Sequence, residues 1–354
     1  MVLATFRVLG INLICLSDNN RTKFMEKREF KLFIEGVGWI NFVNREIEIE
    51  QLIELSKRGY AFPLAIYGPE GCGKTTLLRY FTNLVKREED YVTIYIDALE
   101  LHDISRAIIA SHNEIWNVIS SLISFPIGER LAKCITLILR RIHKILSLKN
   151  KNVILILDDV YKSIGIENVD KYTKTLYEWI GHLHEEFDVN RVLFIITTSE
   201  GISKRILSRH TYVHIYMTWN LPREGFEKLV KETKAPVDHN ELWRLTGGNP
   251  RALIEIAQFN WNIDKWINYL TERRVLPTIH GIEKVRLESI VKDPDSDWGT
   301  AMKLEERGLM IELSHTLVLG LPLKKNIELG IGKRWAWQIP AYREAVKRLL
   351  LEIQ

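Results

Sequence analysis

The sequence predicts an α/β protein built on a parallel sheet that carries a phosphate-binding loop, and three observations support this. Short apolar runs rich in Val and Ile alternate with helical patterns as far as Met217. The first run, Leu64–Tyr67, passes directly into Gly68-Pro69-Glu70-Gly71-Cys72-Gly73-Lys74-Thr75-Thr76. Another, Val153–Leu157, ends in the pair Asp158-Asp159. Strands buried on both faces read as nearly continuous apolar runs, and their alternation with helices marks a parallel sheet.

Five strands are expected in order, at Leu64–Tyr67, Tyr91–Ile96, Val153–Leu157, Val192–Thr197 and Tyr212–Met217. The segment Leu101–Lys149 is too long for one crossover and reads as two or three helices, broken near Phe125-Pro126. After Asn220 the strand pattern stops and helices follow, with Pro222 and Pro250 suited to first-turn positions, so a domain boundary is expected at Asn220–Pro222. A length of 354 residues fits two or three domains, and 46% apolar content with ten Trp is ample for burial. No uncharged stretch reaches the ~20 apolar residues of a membrane helix. Met1–Cys15 reads as a short strand, or as an upstream extension of a chain that starts at Met25. Cys15, Cys72 and Cys134 form neither a disulfide frame nor a zinc pattern, which fits a reducing cytoplasm. The net charge of +4 permits nucleic-acid contact without requiring it, and the scarcity of Gln beside abundant Lys, Arg, Glu and Ile resembles a thermophile's usage.

The chemistry follows from where these motifs fall. Glycines let the loop curl so that backbone N–H groups face inward at the start of the next helix, a nest for phosphate. Lys74 then reaches the β and γ phosphates, and the Thr75 hydroxyl is placed to ligate Mg²⁺. Asp158 would hold Mg²⁺ through water, and Asp159 would orient and polarise the attacking water, both at the carboxyl edge of the sheet. The run ending in Thr197-Thr198-Ser199 offers a hydroxyl to sense the γ phosphate, with Thr198 the first choice. Arg251, following Pro250, could carry the γ-phosphate signal to the rest of the chain. Asn44 is expected to cap a helix running from Arg45 to Lys57, ended by Gly59.

Taken together, Phe42-Val43-Asn44-Arg45-Glu46, the phosphate loop, the Asp-Asp and Thr-Thr-Ser strand ends and Gly247-Gly248-Asn249-Pro250-Arg251 resemble the archaeal ATPase family. That family belongs with the signal-transduction ATPases with numerous domains, within the AAA+ class, and the resemblance covers roughly Phe42–Phe259. It implies a P-loop NTPase with a five-stranded parallel sheet of order 5-1-4-3-2, a helical lid and a C-terminal winged helix. The corresponding division is an N-terminal extension at 1–40, the ATPase core at 41–220, the lid at 221–278 and the winged helix at 279–354. It further implies that Phe42, Val43 and Arg45 lie beside the adenine, that Pro250 meets the base from the lid, and that Arg209 is directed at nucleotide, with Arg205 its rival. The second carboxylate of the strand end is Asp159 rather than the usual Glu, so slow hydrolysis is expected; Asn44 replaces the more familiar Gly of the upstream box, a departure that bears on the approach to the adenine.

Beyond the lid, Gly281–Ile290 and Gly299–Arg307 read as helices, followed by a hairpin around Leu317-Val318-Leu319 and a basic turn at Lys324-Lys325. In a winged helix Gly299–Arg307 would take the recognition position, where Glu305 and Glu306 argue against DNA contact. The last helix, with Tyr342, Val346, Leu349 and Leu350 on one face, reads as core. The leading expectation is a Mg²⁺-dependent ATP switch that binds ATP and ADP and pairs with a protein or with itself through the core. The alternative is a DNA-binding replication-initiator-like ATPase; a small-molecule phosphotransferase is disfavoured by the lid and winged helix.

Overall fold

A computed structural model describes residues 30–123, 131–198, 201–317 and 323–352. Met1–Cys15, Met25, the Phe125-Pro126 break, Ser199 and Val318-Leu319 lie outside them. A hairpin of β1 (Lys31–Ile34) and β2 (Gly38–Asn41) comes first. The central sheet is built from β3 (Leu64–Tyr67), β4 (Tyr91–Asp97), β5 (Ile108–Ala110), β6 (Asn152–Asp158), β7 (Arg191–Thr198) and β8 (His214–Met217). These strands lie in the order β5-β4-β6-β7-β3-β8.

Every pairing is parallel except β5, which runs antiparallel to β4 at the edge. The sheet is therefore six-stranded and mixed rather than five-stranded and parallel. The extra strand has three residues inside a segment whose helical pattern dominates, too short to register as a strand in sequence.

Side-chain alternation along the strands builds two cores. On β6, Val153, Leu155 and Leu157 enter one cluster with Trp179 and Leu183, which belong to the helix Val169–Phe187. Ile154 and Ile156 enter the other with Leu52, Leu77 and Phe81 from the helices Glu46–Arg58 and Lys74–Val85. Burial on both faces is what made these strands legible as continuous apolar runs.

The helix Glu46–Arg58 ends at Gly59 as expected, but its start differs. Asn44 and Arg45 both take left-handed backbone, at φ 62° and 78°, and Arg45 occupies the cap position without a side-chain bond to the helix. The Asn44 side chain instead fills space beside Gly225, where an added Cβ would come within 2.7 Å of it.

After β8 the chain becomes helical. Pro222 caps Arg223–Thr233, and Pro250 opens Pro250–Gln258 behind Asn249, whose side chain accepts the Ala252 N–H at 3.0 Å. These helices, His239–Thr246 and Ile263–Leu270 pack around Phe226, Leu253 and Trp266, and Ile40 of β2 joins the same cluster. The hairpin β1–β2 thus packs against these helices, and a boundary at residue 41 would cut β2. A last unit comprises helices Lys284–Lys292, Trp298–Glu306 and Pro340–Glu352 with the hairpin of β9 (Met310–Glu312) and β10 (Trp335–Trp337). Its core holds Leu287, Leu304, Trp335, Trp337, Val346 and Leu349. Among the described residues no helix is long and apolar enough to cross a membrane.

Trp266 is fully buried and donates its indole N–H to Glu255 Oε2 at 3.1 Å. Trp266→Ala should destabilise the chain by about 3–5 kcal/mol through the cavity left behind. Urea unfolding measures this, and a loss below about 1 kcal/mol would show that the helical unit does not depend on this packing.

Candidate functional site

A cavity of about 390 Å³ opens where the loop after β3 meets the helices that follow β8 and the β1–β2 hairpin. Its lining combines two kinds of residue. Leu32, Ile34, Ile40, Phe42, Val43, Leu221, Leu229, Pro250 and Ile254 are apolar. The loop residues Glu70–Thr76, with Asp159, Lys162 and Arg251, bring backbone amides and charge. The first suits a planar base and the second a chain of phosphates.

The loop geometry supports that division. Gly71 has φ 79°, and a Cβ there would come within 2.3 Å of Arg251 Cβ, so glycine allows both the turn and the contact with Arg251. Gly73 precedes the helix Lys74–Val85 with no side-chain cap, and the first-turn N–H groups have no carbonyl one turn back to receive them. Lys74 Nζ donates to the carbonyls of Gly68 and Pro69 at 3.0 and 3.2 Å, holding the lysine along the loop. These N–H groups, this lysine and the Thr75 hydroxyl are the donor set that a polyphosphate with Mg²⁺ requires.

Arg45 lines the cavity, but its buried guanidinium is used as a strap. It donates to Cys72 O at 2.8 Å and Trp219 O at 2.6 Å, and pairs with Glu48 at 2.6 Å. Phe42 stands against Tyr80 with ring centroids 4.7 Å apart, which fixes the apolar wall.

The two strand-end carboxylates divide their roles. Asp158 is 1% exposed and stands behind the wall. Tyr95 OH donates to its Oδ2 at 2.7 Å, and the Thr197 hydroxyl donates to its Oδ1. Burial, and then the Asp158 charge, push the Tyr95 phenol far above its usual pKa, so it stays a proton donor. Asp97 is raised for the same two reasons, although Arg79 bonds it at 3.1 Å. Asp159 turns left-handed at φ 49°, donates its N–H to Thr197 Oγ1 at 2.8 Å and reaches the cavity wall.

Thr197 is therefore the hydroxyl that meets the carboxylates, while Thr198 is buried, aligned with Tyr67 of β3 and off the wall. Successive strand residues face opposite sides, and it is the Thr197 hydroxyl that donates to the Asp158 carboxylate and accepts the Asp159 N–H. Arg209 is exposed and off the wall, and Arg205 pairs with Glu306 at 2.8 Å and Glu305 at 3.7 Å.

Sequence reasoning missed the residues that join the loop to the helices after β8 and the last unit. Asn249 Nδ2 donates to Glu70 O at 2.9 Å and Asn220 Oδ1 at 2.8 Å. Gln338 Oε1 accepts the Glu70 N–H at 2.8 Å, and Asn220 Nδ2 donates to Gln338 O at 2.9 Å. Arg251 Nη1 binds Glu70 Oε1 at 2.6 Å, with Arg274 at 3.8 Å from Oε2. Asn249 lay inside the quoted Gly-Gly-Asn-Pro segment and could have been read as a cap. Nothing local marks Gln338, which approaches from 268 positions away.

Residues 42–256 match the model of a family described as an ATPase domain predominantly from Archaea. The chain is similar to an uncharacterized ATP-binding protein of Pyrococcus abyssi, with 25% identity over 291 residues, 71% of this chain and 83% of the relative. A second such protein, from Pyrococcus horikoshii, is 24% identical over 253 residues, 64% of this chain and 77% of its own length. Among solved structures, the Aeropyrum pernix ORC2 protein in ADPNP-ADP complexes aligns over 94% of this chain and 98% of that one, at 15% identity and a TM-score of 0.41.

Burial pushes the Glu70 carboxyl up, but Arg251 and Arg274 outweigh it and hold the group below its usual range. Its contribution to stability is present above the ordinary Glu pKa and is lost as pH falls through the lowered folded value. The stability difference between parent and Glu70→Gln, followed by urea unfolding across acid pH, should shrink on the acid side and also with added salt. A difference independent of pH would remove the charge pair as the link between the loop and the helices after β8.

Proposed function

The chain belongs to the ATPase domain family found predominantly in Archaea, and on that premise we propose that it is a Mg²⁺-dependent ATP-hydrolysing switch of the AAA+ type. The observation that carries this reading is that the loop lysine, Thr75 and a strand-end carboxylate, Asp159, line one cavity together with apolar side chains suited to a base. ATP would bind with its phosphates over the Gly71–Thr76 amides and Lys74, and its base between Phe42, Val43 and Pro250. Mg²⁺ would be held by Thr75 and would supply positive charge to the phosphates, while Asp158, bonded by Tyr95 and Thr197 behind the wall, would brace the strand end that carries Asp159. Asp159 orients the attacking water. The water oxygen attacks the γ phosphorus, the bond to the β–γ bridging oxygen breaks and leaves its electron pair on ADP, and the water's proton passes to Asp159 and on to the released phosphate.

The switch reading is supported by the contacts of Glu70. Its peptide touches the lid through Asn249 and the last unit through Gln338, so a shift of the loop acts on both. We read residues 221–278 as the lid, and the helices Lys284–Lys292 and Trp298–Glu306 with the β9–β10 hairpin as a winged helix. The initiator-like alternative needs a phosphate-facing basic helix. On Trp298–Glu306, Glu305 and Glu306 are instead paired with Arg205 of the core, and Lys325 is paired with Asp293 at 3.1 Å. That arrangement favours coupling within the chain, or to a protein, over coupling to DNA.

Lys74→Ala should abolish ATP turnover while leaving the unfolding curve of the parent, because its ammonium serves phosphate and not the core. Turnover measured with and without duplex DNA tests both readings: strong, salt-sensitive stimulation by DNA would favour the initiator-like one, and equal turnover in variant and parent would rule out the site. Asp159→Asn should keep ATP affinity within about threefold and lower kcat by about 10²-fold or more, since an amide takes no proton from water. Parental kcat in that variant would assign water activation to another group.

A further inference from the structure

Thr198 and Arg209 lie off the cavity wall; of the cations on it, Arg45 is tied to Cys72, Trp219 and Glu48, which leaves Lys74, Arg251 and Lys162 to read a terminal phosphate. Lys74 runs along the loop carbonyls, and Arg251 is bonded to Glu70 at 2.6 Å. Lys162 is held differently. Its Nζ is 3.5 Å from Asp159 Oδ1, well beyond the ~2.7–2.9 Å of a charge-assisted hydrogen bond. Both side chains of that pair are partly exposed, at 30% and 23%.

The two partners are not equally movable. Asp159 is fixed by its left-handed backbone and by the bond from its N–H to Thr197, with its carbonyl also accepting the Lys162 N–H at 3.2 Å. The lysine is a compact charge on a flexible four-carbon stem and can change partner without moving the backbone. Lys162 lines the same cavity as Asp159 of the strand end and Glu70 of the loop.

We propose that Lys162 is a second phosphate-binding lysine, which leaves Asp159 for the terminal phosphate of a nucleoside triphosphate and thereby releases that carboxylate to hold the attacking water. The proposal deepens the ATPase reading and rests on it. A terminal phosphate brings more charge and more acceptor oxygens than one carboxylate, so it draws the lysine away. A diphosphate lacks that group, the Lys162–Asp159 pair stays closed, and the carboxylate remains neutralised. The contact exists with triphosphate alone, which is the differential interaction a nucleotide-driven switch requires.

Calorimetric titration of the full chain with Mg·ADPNP and Mg·ADP tests this in the parent, Lys162→Gln and Lys162→Arg. Losing one charge-assisted contact should weaken ADPNP binding by roughly tenfold in Lys162→Gln. ADP affinity should stay within about twofold, which also reports that the site is folded, and Lys162→Arg should recover most of the loss. Equal weakening for both nucleotides, or an unchanged ratio of the two affinities, would overturn the role of Lys162 while leaving the ATPase reading intact. Failure of the parent to bind either nucleotide would overturn that reading and this proposal with it.

Discussion

One peptide group, that of Glu70, is the constraint on which the arrangement of the chain depends. Its N–H is taken by the Gln338 side chain and its C=O by Asn249, and Asn220 joins the Asn249 side chain to the Gln338 backbone carbonyl. All three amides are at least 94% buried, with exposures of 4%, 1% and 6% for Asn220, Asn249 and Gln338. Leaving a buried polar group without its partner costs about 1–3 kcal/mol, so the loop, the junction after β8, the lid and the last unit are obliged to keep register. The close fit of Gly71 against Arg251 acts in the same direction sterically.

The strand-end carboxylates show a related economy. Asp158 is enclosed by Tyr95 and Thr197, and Arg79 braces Tyr95 at 3.2 Å and Asp97 at 3.1 Å. Thr197 receives the Asp159 N–H with the same hydroxyl that it donates to Asp158. One buried side chain therefore fixes both the rear carboxylate and the turn that brings the next carboxylate to the cavity.

How much of this was legible depends on whether the signal is local. The apolar strands and the glycine-rich loop are local: their burial and backbone demands fall on consecutive residues, and the structure has them at Leu64–Tyr67 and Gly68–Thr76. β5 was missed because three residues carry too little periodicity, and the hairpin β1–β2 because its strands are largely exposed and so lack the continuous apolar run that marks β3. Thr198 was preferred to Thr197 because a sequence does not show which face of a strand meets a carboxylate. Lys162 was within reach, three positions past Asp159 on the same short helix, whereas Gln338 and Arg274 become site residues only when distant elements fold together.

The loop is not the only route from the cavity to the last unit. β7, whose Thr197 holds the carboxylates, is followed by the helix Gly201–Leu207, and there Lys204 pairs with Glu312 and Arg205 with Glu305 and Glu306. Gly201 admits Glu305 so closely that a Cβ would come within 2.4 Å of its side chain. Two separate paths, one from the Glu70 peptide and one from the strand end, thus converge on the segment from Trp298 to Gln338. Burial raises the Glu305 carboxyl despite the cations near it, so its charge is disfavoured while the two surfaces are apposed and is relieved where they part. A contact made of a packed glycine, a buried acid and paired cations cannot stretch gradually; it is either closed or parted. Movement at the phosphates would then reach the last unit as a discrete change in docking rather than as a graded strain.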